Sequence, residues 1–156
     1  MHELLLFLHS LLRWFVLAGL IYTIFRAVSG VKGGKEFLQI DEKSRNITVI
    51  IVHIQFLLGL ILYVTSPLMK FFFGNFQEAV KMGPIRFFAM EHTLMMLIAV
   101  ALITIGSVRS KKKVNDKEKF KSILIWFILG LLLMLISIPW PFSPMASRPW
   151  LTLFGG

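Results

Sequence analysis

Five ionisable side chains fall inside long apolar stretches of this sequence: His9, Arg13, His53, Glu91 and His92. Such groups are costly within a membrane, and they usually face a bundle interior or a water-filled cavity. Their depths decide what they can do together. At about 1.5 Å of rise per helical residue, His9 and His92 each lie roughly 7–8 Å in from the same end of their stretches. They belong to the first and third stretches, which are diagonal in an up-and-down bundle of four, so both imidazoles can aim at the central axis. Two imidazoles facing each other at one height form a natural axial pair for a flat macrocycle. Histidine is a standard haem-iron ligand, and bundle cofactors are held by side chains on facing helices. Each histidine also has a plainer use, as a hydrogen-bond partner of a backbone carbonyl or a serine hydroxyl.

The other three groups are read around that pair. Arg13 follows His9 at i+4, on the same helical face. At about 14 Å it is too deep to snorkel easily, so a group inside the bundle must satisfy it: a haem propionate, Glu91 or an anionic headgroup. Glu91 is read as the partner of Arg13 or as part of a proton relay. His53 lies near 20 Å from the outer end, where no other histidine shares its depth. It is read as a packing histidine bonded to Gln55 or the backbone, with a quinone or proton site as the alternative. Met134 shares the outer depth and offers a His/Met ligand set. Zinc on His9, His92 and Glu91 is the competing metal reading, although diagonal helices usually stand too far apart for tight coordination. Met95 and Met96 are adjacent and diverge, which argues against a copper path.

The elements that position these groups follow from composition. Of 156 residues, 56% are hydrophobic and only 16% charged, whereas soluble domains are roughly 45–50% apolar and about a quarter charged. Apolar runs at about residues 4–25, 47–66, 87–107 and 120–138 each approach the roughly 20 residues that a spanning helix needs. The expectation is an all-α membrane protein, a four-helix up-and-down transmembrane bundle forming a single domain. Interfacial segments are expected at about 68–86, rich in Phe, and at 139–156, rich in Pro and Trp. The absence of cysteine excludes disulfides, iron–sulfur ligation and covalent c-type haem.

Lys and Arg are unevenly placed. Twelve fall in the two loops after the first and third spans, four on the opposite side, and Arg13 lies within a helix. This predicts basic loops in the cytoplasm and both termini outside. It also explains the net charge of +9 by the bilayer rather than by nucleic acid.

The stretches Leu8-His9-Ser10-Leu11-Leu12-Arg13-Trp14, His53-Ile54-Gln55-Phe56-Leu57-Leu58-Gly59, Arg86-Phe87-Phe88-Ala89-Met90-Glu91-His92 and Ile138-Pro139-Trp140-Pro141 resemble small four-helix membrane proteins of Bacteroidota called cytochrome b. The similarity covers nearly the whole chain. More distantly, the chain looks like the cytochrome b561 and formate-dehydrogenase gamma-type bundles, which hold b haems between helices. The resemblance implies a bacterial inner membrane location and a haem b. Those better-known groups commonly bring two histidine pairs, including ligands on the fourth helix. Here the fourth helix has no histidine, so the resemblance supports one haem per chain, with His9 and His92 in the ligand role.

Three functions fit these features. The first is a b-type cytochrome moving electrons, with a membrane quinol as possible donor. The second is a cofactor-free accessory or assembly subunit of a respiratory or other membrane complex. The third is a small ion or proton transporter using Arg13, Glu91 and His53, although neither inverted repeats nor broken helices are readable.

Overall fold

Local stop signals set the helix boundaries in the computed structural model, which describes residues 1–152. Helix α1, His2–Gly33, ends where Gly34 turns left-handed at φ 59° and returns its N–H to the Gly30 carbonyl, the usual glycine stop. Helix α2, Gln39–Thr65, is tied to that end through Asp41. One Asp41 carboxylate oxygen accepts the Leu38 N–H at 2.9 Å, and the other accepts Arg26 Nε at 2.6 Å. Helix α2 stops because Ser66 precedes Pro67 and is held extended. The Ser66 hydroxyl then accepts the Leu68 N–H at 3.2 Å and caps α3, Pro67–Gly74. Two short helices follow, α4 at Phe76–Ala79 and α5 at Gly83–Arg86. A π turn at Phe87–His92 feeds into α6, Thr93–Lys111. Asn115 caps α7, Asp116–Ser137, by accepting the Glu118 N–H at 3.3 Å, and Ile138 ends it ahead of Pro139.

No strand occurs among the described residues. Four helical stretches there are long and apolar enough to cross a membrane: α1, α2, the continuous run Gly83–Lys111, and α7. They overrun the apolar cores read from the sequence. Helix α1, for instance, continues about two turns past Phe25 to Gly33, because nothing before Gly34 stops it. Packing joins α1 to α2 and α7, and α6 to the same two helices, so α1 and α6 face each other diagonally. Between them lie Leu20, Val52, Ile103, Ile123 and Phe127.

Glycines set the closest helix approach. A Cβ on Gly106 would land on the Cβ of Trp126, and one on Gly130 would sit 2.6 Å from Ile103 Cγ1. Small residues at crossings are how membrane helices gain packing without a hydrophobic drive. Gly106→Val is therefore expected to destabilise the fold by about 1–3 kcal/mol. A lowered midpoint in temperature-ramped gel filtration would register the loss.

The segment between the second and third spans carries the short helices α3, α4 and α5. Met69, Phe72, Ala79 and Ala89 form a buried cluster, with Tyr63 and Phe88 packed against it. The tail after α7 folds back on the bundle. Arg148 N–H reaches the Pro139 carbonyl at 3.1 Å, and Thr152 N–H reaches the Ser10 hydroxyl at 3.1 Å. Residues 153–156 of the expected terminal interfacial segment lie outside the described residues. At the opposite end, Arg45 differs from the loop cation the sequence suggested. Its side chain is buried between Glu42 at 3.1 Å and the Ser110 hydroxyl at 3.4 Å.

Candidate cofactor cavity

A cavity of about 420 Å³ opens between α1, α2, α3 and the π turn, within the size range of small-molecule and cofactor sites. Its walls are largely apolar, including Leu17, Val52, Phe56, Met96, Val100 and Met134. Its polar lining includes His2, His9, Arg13, Gln55, Tyr63, His92 and Arg148. No Asp or Glu lines it among the described residues. Four buried polar atoms on those walls have no protein partner: His2 Nδ1, His9 Nδ1, Arg13 Nε and Gln55 Oε1. Each unsatisfied buried group costs about 1–3 kcal/mol. All four gather on this one cavity.

His9 and His92 both line this cavity, from the diagonal elements α1 and the π turn. His92 Nδ1 lies 2.8 Å from the Ser137 carbonyl. A carbonyl only accepts, so the hydrogen sits on Nδ1 and the neutral ring keeps its lone pair on Nε2. That arrangement orients a histidine for metal ligation and fixes its tautomer. The Ser137 hydroxyl is itself engaged, with the Leu133 carbonyl at 2.6 Å and Met95 Sδ at 2.9 Å. His9 leans on Gly59 of α2, where an added Cβ would stand 3.1 Å from His9 Cε1. A side chain at position 59 would crowd the imidazole there. Gln55, one turn before Gly59, donates Nε2–H to the His9 carbonyl at 2.9 Å. Gln55 therefore serves α1 rather than His53, the partner suggested for it by the sequence.

The π turn changes the fate of Glu91. Its i→i+5 winding brings residue 91 back beside residue 86, and Arg86 Nε donates to Glu91 Oε1 at 2.8 Å. Glu91 is thus the partner of Arg86, not of Arg13, and it does not line the cavity. Two side chains hold the loosened turn: Tyr63 OH donates to the Ala89 carbonyl at 3.2 Å, and Thr93 Oγ1 to the Phe88 carbonyl at 2.9 Å. Turns of this kind appear frequently at functional sites, and this one ends on His92.

Arg13 finds its partner in the tail. Its Nη2 donates to the Trp150 carbonyl at 2.5 Å, beside Trp14 Nε1, which donates to the same oxygen at 3.1 Å. The guanidinium lies 5.5 Å from the Trp14 ring centroid and 5.8 Å from that of Trp140. Trp140 and Trp150 of the tail cluster with Trp14 beside it, with ring centroids 5.6–6.2 Å apart.

His53 stands apart from the cavity. Its Nδ1 lies 2.8 Å from the Val49 carbonyl and its Nε2 lies 3.2 Å from Thr104 Oγ1, as expected of a satisfied packing histidine. Arg13, Glu91 and His53 each bond a different partner, so they form no continuous ladder. No group of three or more His, Cys, Asp or Glu side chains that could hold a metal ion occurs among the described residues. The three-ligand zinc site loses Glu91 on the same geometry.

Tyr63 and Arg148 escaped the sequence reading as cavity residues. On α2 a signal was present: Val52, Gln55, Gly59, Leu62 and Ser66 recur at three- and four-residue spacing, the period of one helical face. For Arg148 no local signal exists, because only the folding back of the tail brings it there. No protein-family model matches the chain, and no curated protein or solved structure is significantly similar to it.

Proposed function

We propose that this chain is a b-type cytochrome holding one haem between α1 and the third span, with His9 and His92 as axial ligands. In this reading the basic loops face the cytoplasm of a bacterial inner membrane and the cavity lies toward the outer leaflet. The observation that carries it is the pair of histidines on diagonal elements lining one acid-free cavity, with His92 Nε2 left as the free nitrogen by the Ser137 carbonyl.

A bound haem would supply a one-electron couple at its iron. The chain's own residues do the rest. Ser137 holds the tautomer of His92, and Gly59 leaves the space that His9 occupies. Leu17, Val52, Phe56 and Val100 give the chamber apolar walls. Arg13 places a positive charge at the cavity edge, where carboxylates on a cofactor rim would be held. A membrane quinol is the donor class that meets such a site without leaving the bilayer.

Titration of the haem-free chain in detergent with haemin tests this reading. A Soret difference signal saturating at one haem per chain is expected. A titration without saturable binding, or one saturating at two, would contradict it.

A further inference from the structure

We propose that the tail of the chain completes an anion clamp at the cavity mouth, in which Arg148 is the second arm beside Arg13 and the ligand class is an apolar body bearing carboxylates. The inference rests on the haem reading, since the peripheral carboxylates of a haem supply that chemistry.

Charge is the first reason. Two guanidiniums line the cavity, and no Asp or Glu lines it among the described residues. The other arginines with ion pairs, Arg26, Arg45 and Arg86, face Asp41, Glu42 and Glu91 respectively. Arg13 has only a neutral backbone carbonyl for its Nη2, while its Nε is buried without a protein partner. Arg148 rests on the face of Phe88, with its guanidinium 5.2 Å from the ring centroid, and makes no ion pair among the described residues. A carboxylate offers the planar oxygen pair that a guanidinium fork matches best.

The path of the tail is the second reason. Nothing in α7 points Arg148 toward the cavity. It arrives there because the tail turns at Pro139, where the Arg148 N–H bonds the carbonyl. The tail then pins itself to α1 at two further points. Trp150 accepts from Arg13 and Trp14, and Thr152 donates to Ser10. Ser10 and Arg13 belong to the cavity wall, so the contacts that dock the tail are made by the wall itself. Docking of the tail and assembly of the clamp are one event.

Chemical editing of the ligand tests the clamp directly. The full chain is titrated with haemin and with haemin dimethyl ester, which keeps the macrocycle and iron but has no carboxylates. The wild-type chain is expected to prefer haemin about tenfold, the size of one charge-assisted hydrogen bond. Arg148→Gln is expected to bring that ratio toward one while leaving ester binding unchanged. Unchanged ester binding also shows that the variant is folded. Equal wild-type affinity for the two ligands, or a ratio untouched by Arg148→Gln, overturns the clamp and leaves the haem reading standing. Failure of both ligands to bind overturns both readings.

Discussion

His9→Ala and His92→Ala are each expected to abolish haem from the purified protein, while His53→Ala retains it. The three histidines differ in surroundings rather than in type. His92 has its Nδ1 committed to the Ser137 carbonyl and its ring on the cavity wall. His9 lines the same cavity from the diagonal helix, seated against Gly59. His53 has both nitrogens engaged, with Val49 and Thr104, away from the cavity. If these imidazoles hold a haem iron, removing either would take away one of its protein ligands and leave a void the surrounding helices only partly fill. Haem content below about a tenth of wild type is expected for each outer variant, with gel-filtration profiles unchanged. A normal low-spin spectrum in both outer variants would show that iron is held elsewhere.

Gly59→Leu is expected to produce the same loss without touching a ligand. The first added carbon would already stand 3.1 Å from His9 Cε1, tighter than ordinary contact between carbons. The rest of the leucine would then extend into the chamber that Gly59 lines. Either His9 leaves its seat or the chamber shrinks, and both remove the site. Leucine is also a better helix former than glycine, so the thermal midpoint of the haem-free chain is expected to hold or rise. The diagnostic result is therefore haem affinity reduced more than about tenfold in a stable protein. Full haem content in Gly59→Leu would show that His9 is not a ligand from its present position.

Much of the architecture was readable from composition and run length, because lipid forces each backbone polar group to be satisfied within its own helix. The four apolar stretches and the shared cavity position of His9 and His92 follow from those runs and from a uniform helical rise. What escaped depends on departures from that uniformity. The π turn at Phe87–His92 inserts an extra residue into a winding assumed to be regular, and it rotates Glu91 onto Arg86. No local residue pattern announces it; its supports, Tyr63 and Thr93, become visible only once α2 is packed alongside. The partner of Arg13 was illegible for a different reason. A backbone carbonyl at Trp150 carries no side-chain signature, and its contact with Arg13 spans 137 positions of the sequence. Arg45 was counted by charge as a loop residue, yet its place on α2 buries it against Ser110. Gln55 and Gly59 were the accessible clues, a polar group and a gap one turn apart on one face of an apolar helix.

The most direct measurement is a reduced-minus-oxidised absorption spectrum of the full chain purified in detergent from haem-replete cells, with haem quantified as the pyridine haemochrome. One low-spin b haem per chain is expected, since His9 and His92 form the one histidine pair that lines the cavity from the diagonal helical runs. Two haems would contradict the single site and direct attention to His53. Protein purified with no haem, under conditions shown to retain it, would contradict the cytochrome reading and favour an accessory subunit whose cavity holds some other occupant.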